Sequence, residues 1–520
     1  MPAGVGVDLV DRVRDRLRQI VADTRAWPHL VFADLRLEVI EARSATAENG
    51  GAKSSSDDYS LALGARVLAG DRMIGPGYAG RMLGAAEVDR LQEVAREALE
   101  RAYRRARVNG DRKADARDKF GALGEALADT RLAPIAARED TVPAVFDVDP
   151  RAVDLGAMVR YVADISRQVG AVDARIAYNY VSALTQLSRE LYVSTDGAAI
   201  DQTFALTQGA CWAVASTGDT SQEVFDVLGH QRGWEILDAG VADPLMPFPS
   251  FVEFAIEAAR DAAALAAAPR VPTPDDDVVV VTDPHYNTLL SHEIIGHPVE
   301  LDRALKMETA YAGRSWLMSG LDDHQIGRRV ASPRVTAYSD PSLPGYGHYA
   351  YDHEGTPARR VVHIDRGVFT GFMNSRQTAA VFGGEPNGHW KATDASLVPL
   401  VRMSNTVFAA GTDPAADIVK DVEHGWYLAG HRTPSIAESR ENFRISARKV
   451  YEIEHGRLGR LYRDGGIEAD SRDFLMNVDA VGDDFRLYPI PNCGKGQPMQ
   501  VKRLGNGGPT LRSRARLTGG

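Results

Sequence analysis

Cysteine is nearly absent from this chain. Its 520 residues include two, Cys211 and Cys493. That excludes a disulfide framework and fits a reducing compartment, so a cytoplasmic location is expected. Long hydrophobic runs are also missing. No uncharged apolar stretch approaches the length needed to cross a bilayer, so no membrane partner is expected. At the start, Asp8 and Asp11 interrupt the sequence before any apolar core forms, and no secretory signal is read there. Positive charge is scarce: 60 basic residues face 71 acidic ones, a net charge of -11. Nucleic acid is therefore not the expected partner. The basic stretch from Lys502 to Arg516 reads as a solvated tail. There is no Walker or Rossmann phosphate loop, and Gly505 to Gly508 lacks the strand-to-helix setting such a loop needs.

What is present points to several structural units, because 520 residues exceed one hydrophobic core. The patterning predicts an α+β chain. Helices are expected over 4–24, 84–107, 151–168, 221–237 and 250–268. Strands are expected over 30–43, 59–68, 74–79, 171–187, 190–195 and 203–216, with a polar loop at 53–58. Residues 1–269 would form an N-terminal α+β domain with an antiparallel sheet and helices. The Pro- and Asp-rich stretch 270–277 reads as a linker. Residues 278–520 would form a mostly β C-terminal domain that opens with strand 278–282 and the helix bearing His292. Cys211, in an apolar run, is expected in the core.

The chemistry concentrates in His292-Glu293-Ile294-Ile295-Gly296-His297. Two imidazoles can hold a zinc ion, and Glu293 can take a proton from a metal-bound water. On a straight α-helix, residues five apart differ by roughly 140° and do not share a face. Either a π-type turn or local unwinding must bring them together. Gly296 and Pro298 favour unwinding, with His297 leaving the helix. A helix end with one surface histidine and one capping histidine would show the same six letters. Cys493 lies in a small-residue stretch that reads as a loop, with Lys495 two residues on to favour the thiolate.

Four ordered blocks carry a resemblance. They are Ser291 to Glu300; Glu354-Gly355-Thr356-Pro357 followed by Gly371 to Arg376; Val401 to Thr406; and Asn492 to Gln497. Together they resemble the TldD/PmbA family of metallopeptidases, in its metal-bearing, TldD-like branch. The resemblance implies that His292, His297 and Cys493 bind one Zn2+ per chain and that Glu293 is the catalytic base. It further implies Glu-assisted attack of zinc-bound water on peptides or unfolded proteins, including modified peptides that need maturation. A homodimer, or a heterodimer with a TldE/PmbA-like paralogue, is also implied. A non-catalytic subunit of such a complex, or a zinc hydrolase acting on a non-peptide amide, is the alternative.

Other residues have two readings each. His348 and His353 could stabilise an oxyanion or bind a second metal, or be solvated loop residues. Arg402 and Asn405 could bind a peptide backbone or brace a strand. Glu300 and Asp302 could orient a metal-binding histidine or lie in a solvated turn. His389 reads as structural. The stretches Gly345–His353 and Gly430–Glu438 depart from the family pattern and are expected to line the substrate cleft.

Overall fold

Two residues with left-handed backbones set up the first sheet. Asn49 and Gly50 have φ of 47° and 82°, the conformation a two-residue hairpin turn requires. They join β1 (Leu30–Glu48) to β2 (Gly51–Ala69). The expected polar loop at 53–58 is therefore the exposed start of β2. Its serines pair back across the hairpin, as in Ser44 with Ser56.

This computed structural model describes residues 6–121, 128–274, 276–308 and 313–519. The first sheet adds β3 (Gly75–Met82), β4 (Glu139–Val142), β5 (Ile176–Ser194), β6 (Ala199–Thr217) and β7 (Thr220–His230). Its order is β3-β2-β1-β5-β6-β4, with β7 also paired to β6. Two expected strands, 171–187 and 190–195, are the single strand β5. The expected helix over 221–237 is mostly β7, followed by the short helix Glu235–Ala239. Period-two burial explains the difference: Gln222 and Val224 are buried while Glu223 and Phe225 are exposed.

Two groups of helices cover this sheet. Helix α1 (Leu9–Asp23) and helix α2 (Leu91–Phe120) bury Val10, Leu17, Val94 and Leu99 against Leu35, Leu37 and Leu63. Helix α3 (Leu155–Ala171) and the helix Phe251–Ala267 bury Met158, Val162, Phe251 and Ala259 around Cys211. Cys211 is fully buried, as expected of a core thiol.

The second half is built from strands far apart in sequence. Strand β8 (Asp277–Thr282) pairs with His424–Ile436 on one side and Leu511–Gly519 on the other. Leu511–Gly519 pairs on to Gly465–Asp470, then to Asn442–Glu454, and back to His424–Ile436. The strands thus form a closed ring with no free edge among them. A six-stranded sheet beside it carries Asn405–Phe408, Gln500–Gly508 and, at its edge, Arg486–Lys495.

The basic stretch 502–516 is therefore not a solvated tail. Leu511, Ser513, Ala515 and Leu517 point into the ring, while Arg514 and Arg516 point outward. Of the stretch read as a linker, Asp275 lies outside the described residues. Val271 of that stretch is buried and donates to the Arg463 carbonyl at 3.0 Å. The protein is a mixed α+β structure, β-rich in both halves. Among the described residues, no helix is long and apolar enough to cross a membrane.

Candidate metal centre

Strand β8 leads into the short helix Tyr286–Leu290, which continues as a π-helical turn over Ser291–Gly296. The His297 amide donates to the His292 carbonyl at 3.2 Å. This i→i+5 bond stacks residues five apart. The expected unwinding does not occur: His297 keeps helical angles (φ -66°, ψ -44°) despite Pro298. The two rings meet edge to face, with centroids 4.7 Å apart. Gly296 serves space rather than looseness. A Cβ there would lie 1.9 Å from the Met403 sulfur, so the wide turn packs against the 401–406 block.

Cys493 arrives from the edge strand Arg486–Lys495, not from a loop. A register shift between Ile490 and Cys493 interrupts its pairing with Gln500–Gly508. A bulge of this kind re-aims side chains, and the Cys493 sulfur lies 3.7 Å from His297 Nε2. Donor atoms of His292, His297 and Cys493 all lie within 4.8 Å of one another, and all three residues are buried. Tetrahedral zinc with bonds of about 2.0–2.3 Å separates its donors by roughly 3.5 Å. The trio therefore fits that ion.

The partners of the rings favour the same fit. His292 Nδ1 lies 3.0 Å from Asn506 Oδ1, whose amide nitrogen donates to Thr406 O at 2.9 Å. His297 Nδ1 lies 3.1 Å from Glu300 Oε2. Each ring is thus held through Nδ1 and turns Nε2 to the centre. Burial opposes ionisation of Cys493. The His292 and Arg402 charges outweigh it and hold the thiol well below its usual range. Burial likewise opposes protonation of His292, but the neighbouring thiolate raises it to about 9. A metal ion taking this site releases that proton.

Glu300 and Asp302 do not lie in a solvated turn. Glu300 is fully buried, and Lys495 and Arg303 reach it at 3.2 Å each. Burial pushes its carboxyl up, but Lys495 and His297 override this and hold it well below the usual range. Lys495 also binds Asp302 at 2.7 Å. This lysine therefore neutralises Glu300, which orients His297, and the neighbouring Asp302, rather than acting on the thiolate directly.

Arg402 and Asn405 prove to be braces. Arg402, fully buried, donates to the Cys493 carbonyl at 2.6 Å and the Gln500 carbonyl at 3.0 Å. Asn405 donates to the Asp340 and Leu343 carbonyls at 3.2 and 2.9 Å. Neither His348 nor His353 joins the centre or is a solvated loop residue. His348 is half-buried, with Nδ1 2.8 Å from Pro341 O. His353 is buried between the halves and touches Arg36 at 2.7 Å. Among the described residues, the trio is the one His/Cys/acid group arranged to hold a metal. His389 is buried and structural, with Nδ1 3.0 Å from Asn387 O.

Glu293 shares a cavity of about 480 Å3 with the trio. One wall comes from β7, residues 223–227; another includes His431 to Pro434, as expected of the 430–438 stretch. Arg440 escaped the sequence reading. Its Nη1 lies 3.3 Å from Glu293 Oε2, without hydrogen-bond geometry, and its Nε has no acceptor. Its left-handed backbone, φ 68°, is unusual for arginine and would have been invisible in sequence. Asn506 also escaped, because it sits in the glycine stretch set aside as lacking phosphate-loop context.

The site brings two histidines and one cysteine, a donor set that could hold a metal ion, beside a carboxylate. Comparison with known proteins gives the family. The model of the "PmbA/TldA metallopeptidase C-terminal domain" matches residues 276–516. A metalloprotease of Methanothermobacter thermautotrophicus is 32% identical over 65% of this chain and 69% of its own length. A zinc metalloprotease TldD homolog of Saccharolobus solfataricus is 23% identical over 68% of this chain and 74% of its own. The solved TldE of Thermococcus kodakarensis superposes with a TM-score of 0.68 at 16% identity, covering 98% of this chain and 100% of that one. At that identity the likeness concerns the fold. The chain belongs to the PmbA/TldD metallopeptidase family.

Proposed function

We propose that this chain is a zinc-dependent peptidase, binding one zinc on His292, His297 and Cys493 and using Glu293 as general base and acid. One observation carries the reading: three buried donors within 4.8 Å of one another, on the wall of the cavity that Glu293 lines. When bound, zinc supplies a Lewis acid that polarises a scissile carbonyl and makes a water more acidic. Glu293 accepts the proton of the attacking water at a carboxylate oxygen. It then delivers that proton to the departing amine. Arg440 lies beside this carboxylate and steadies it. Asn506 and Glu300 fix the ring orientations, and Arg402 fixes the strand that delivers Cys493.

The proposed substrates are flexible peptides or unfolded proteins, which can enter a cavity walled by both halves of the chain. The proposed setting is a cytoplasmic dimer, with itself or a paralogue. The test is zinc per chain by elemental analysis, on wild type beside Cys493→Ala. About one zinc in wild type, lost in the variant, supports the centre. No zinc in metal-replete wild type sinks the reading and favours a non-catalytic subunit.

A further inference from the structure

A second cavity lies beyond the metal site. It encloses about 300 Å3 between the face of β1, β5 and β6 and the loop Tyr346–Tyr351. That volume is at the lower end of the roughly 300–1,000 Å3 typical of small-ligand pockets. Pro491, in the bulge that re-aims Cys493, lines both cavities. The expected cleft stretch Gly345–His353 thus faces this second chamber rather than the metal.

Its charges are unbalanced. Lys391 lines the cavity and is 3% exposed. Its ammonium sits 4.1 Å from the centroid of the Tyr349 ring, and among the described residues it makes no ion pair and no hydrogen bond. Burial, with Lys502 and Arg402 nearby, presses its proton off. Lys502 and Arg503 add two cations to the lining. The acids answer them only in part: Glu190 and Asp352 favour the Lys391 ammonium less than burial and the neighbouring cations oppose it. Glu190 is engaged by His353 Nε2 at 3.2 Å. The His353 ring is neutral, because its Nδ1 accepts from Arg36 and from the Ala392 amide. Glu38 accepts from the Ala395 amide at 2.8 Å. Burial and the nearby Glu190 raise Glu38 above the usual carboxylate range, so it can carry a proton and donate it. Two cations and the Lys391 amine therefore face one ionised and already partnered acid. A buried ammonium without a counter-charge is costly, so an anion entering the cavity supplies the counter-charge with which Lys391 can hold a proton.

We infer that this second cavity binds a carboxylate of the peptide substrate, held by Lys391 beyond the Pro491 wall of the metal site. The inference rests on the peptidase reading for the identity of the ligand. The carboxylate can come from a free C-terminus or from an acidic side chain, and the lining serves both. Tyr349 and Tyr346 supply the apolar walls on which the adjoining residue packs.

The experiment measures binding without turnover. The zinc-loaded Glu293→Gln protein is titrated against a flexible fluorescent peptide in three forms: free acid, C-terminal amide, and amide with one internal Asp. Fluorescence anisotropy reports affinity. The amide is expected to bind at least about tenfold more weakly than the free acid, as loss of a charged hydrogen bond requires. Lys391→Met removes that difference. Arg503→Gln, at a half-buried position, narrows it. Recovery of affinity by the internal Asp supports the carboxylate site and assigns its source to side chains. Equal affinity for all three forms overturns the inference. Zinc content and cleavage by wild type, measured in parallel, separate the two readings. Zinc and cleavage without carboxylate discrimination remove only this inference. Discrimination without zinc or cleavage leaves the cavity and removes the peptidase.

Discussion

The two halves of the chain hold themselves together differently. In the first half, sheet neighbours are mostly sequence neighbours: β1 pairs with β2 through a two-residue turn, and β5 with β6 across Thr195–Ala198. In the second half, β8 pairs with Leu511–Gly519, and Asn405–Phe408 with Gln500–Gly508. The first arrangement makes a stable wall. The second converges distant residues, and the metal trio sits where such pairings meet. Local pairing builds scaffold here, and distant pairing builds chemistry.

This contrast predicts which substitutions separate stability from function. The largest effect is expected for Glu293→Gln, whose kcat on a flexible peptide should fall by about 10^2 to 10^4. Its zinc content and thermal midpoint should match wild type; a peptide cleaved at the wild-type rate would remove Glu293 from the mechanism. Lys495→Met leaves the buried Asp302 without its cation and Glu300 with Arg303 alone. It should cost about 3–5 kcal/mol in denaturant unfolding and weaken zinc binding as well. Leu37→Ala, at an equally buried site in the first half, should cost about 2–5 kcal/mol. There the folded protein should retain wild-type zinc affinity. Similar zinc losses in both variants would erase the distinction between the halves.

Two smaller effects probe single side chains. Asn506→Ala frees His292 Nδ1 and should weaken zinc about 10- to 100-fold with little change in unfolding. The smallest concerns acid. Burial lowers His363 to about 4 from its usual 6.5. Below pH 6.5 the unfolded chain takes a proton there that the folded chain refuses, so stability falls with falling pH. His363→Gln should remove about 1.4 kcal/mol of that loss per pH unit between those values. Parallel stability curves for wild type and variant would rule this out.

What the sequence revealed follows the same division. The hexapeptide and the core role of Cys211 were legible, because paired histidines beside a carboxylate and apolar runs are local signals; Cys493 was linked to the histidines by the family resemblance, and its local setting was misread as a loop. The hairpin at Asn49–Gly50 and strand β7 were misread, because serine-rich and charged faces look like loop or helix until the partner strand is known. The burial of Glu300 and Asp302 could not be read, because the cation that permits it, Lys495, lies about 190 residues away and is brought near only by folding. Arg440 faces Glu293 for the same reason. The π turn was one of two open solutions, and Gly296 reads as a loosening residue because the Met403 sulfur packed against it is a tertiary fact.

The closed ring of strands also bears on how the chain is made. Strand β8 emerges from the ribosome roughly 230 residues before Leu511–Gly519, its antiparallel neighbour. At about 5–20 residues per second, that edge stays unpaired for on the order of 10 to 50 seconds. For most of that interval the two histidines exist without Cys493. A newborn chain therefore faces its greatest hazard of misassociation in the half that carries the candidate site, while every strand of the first sheet has already been synthesised.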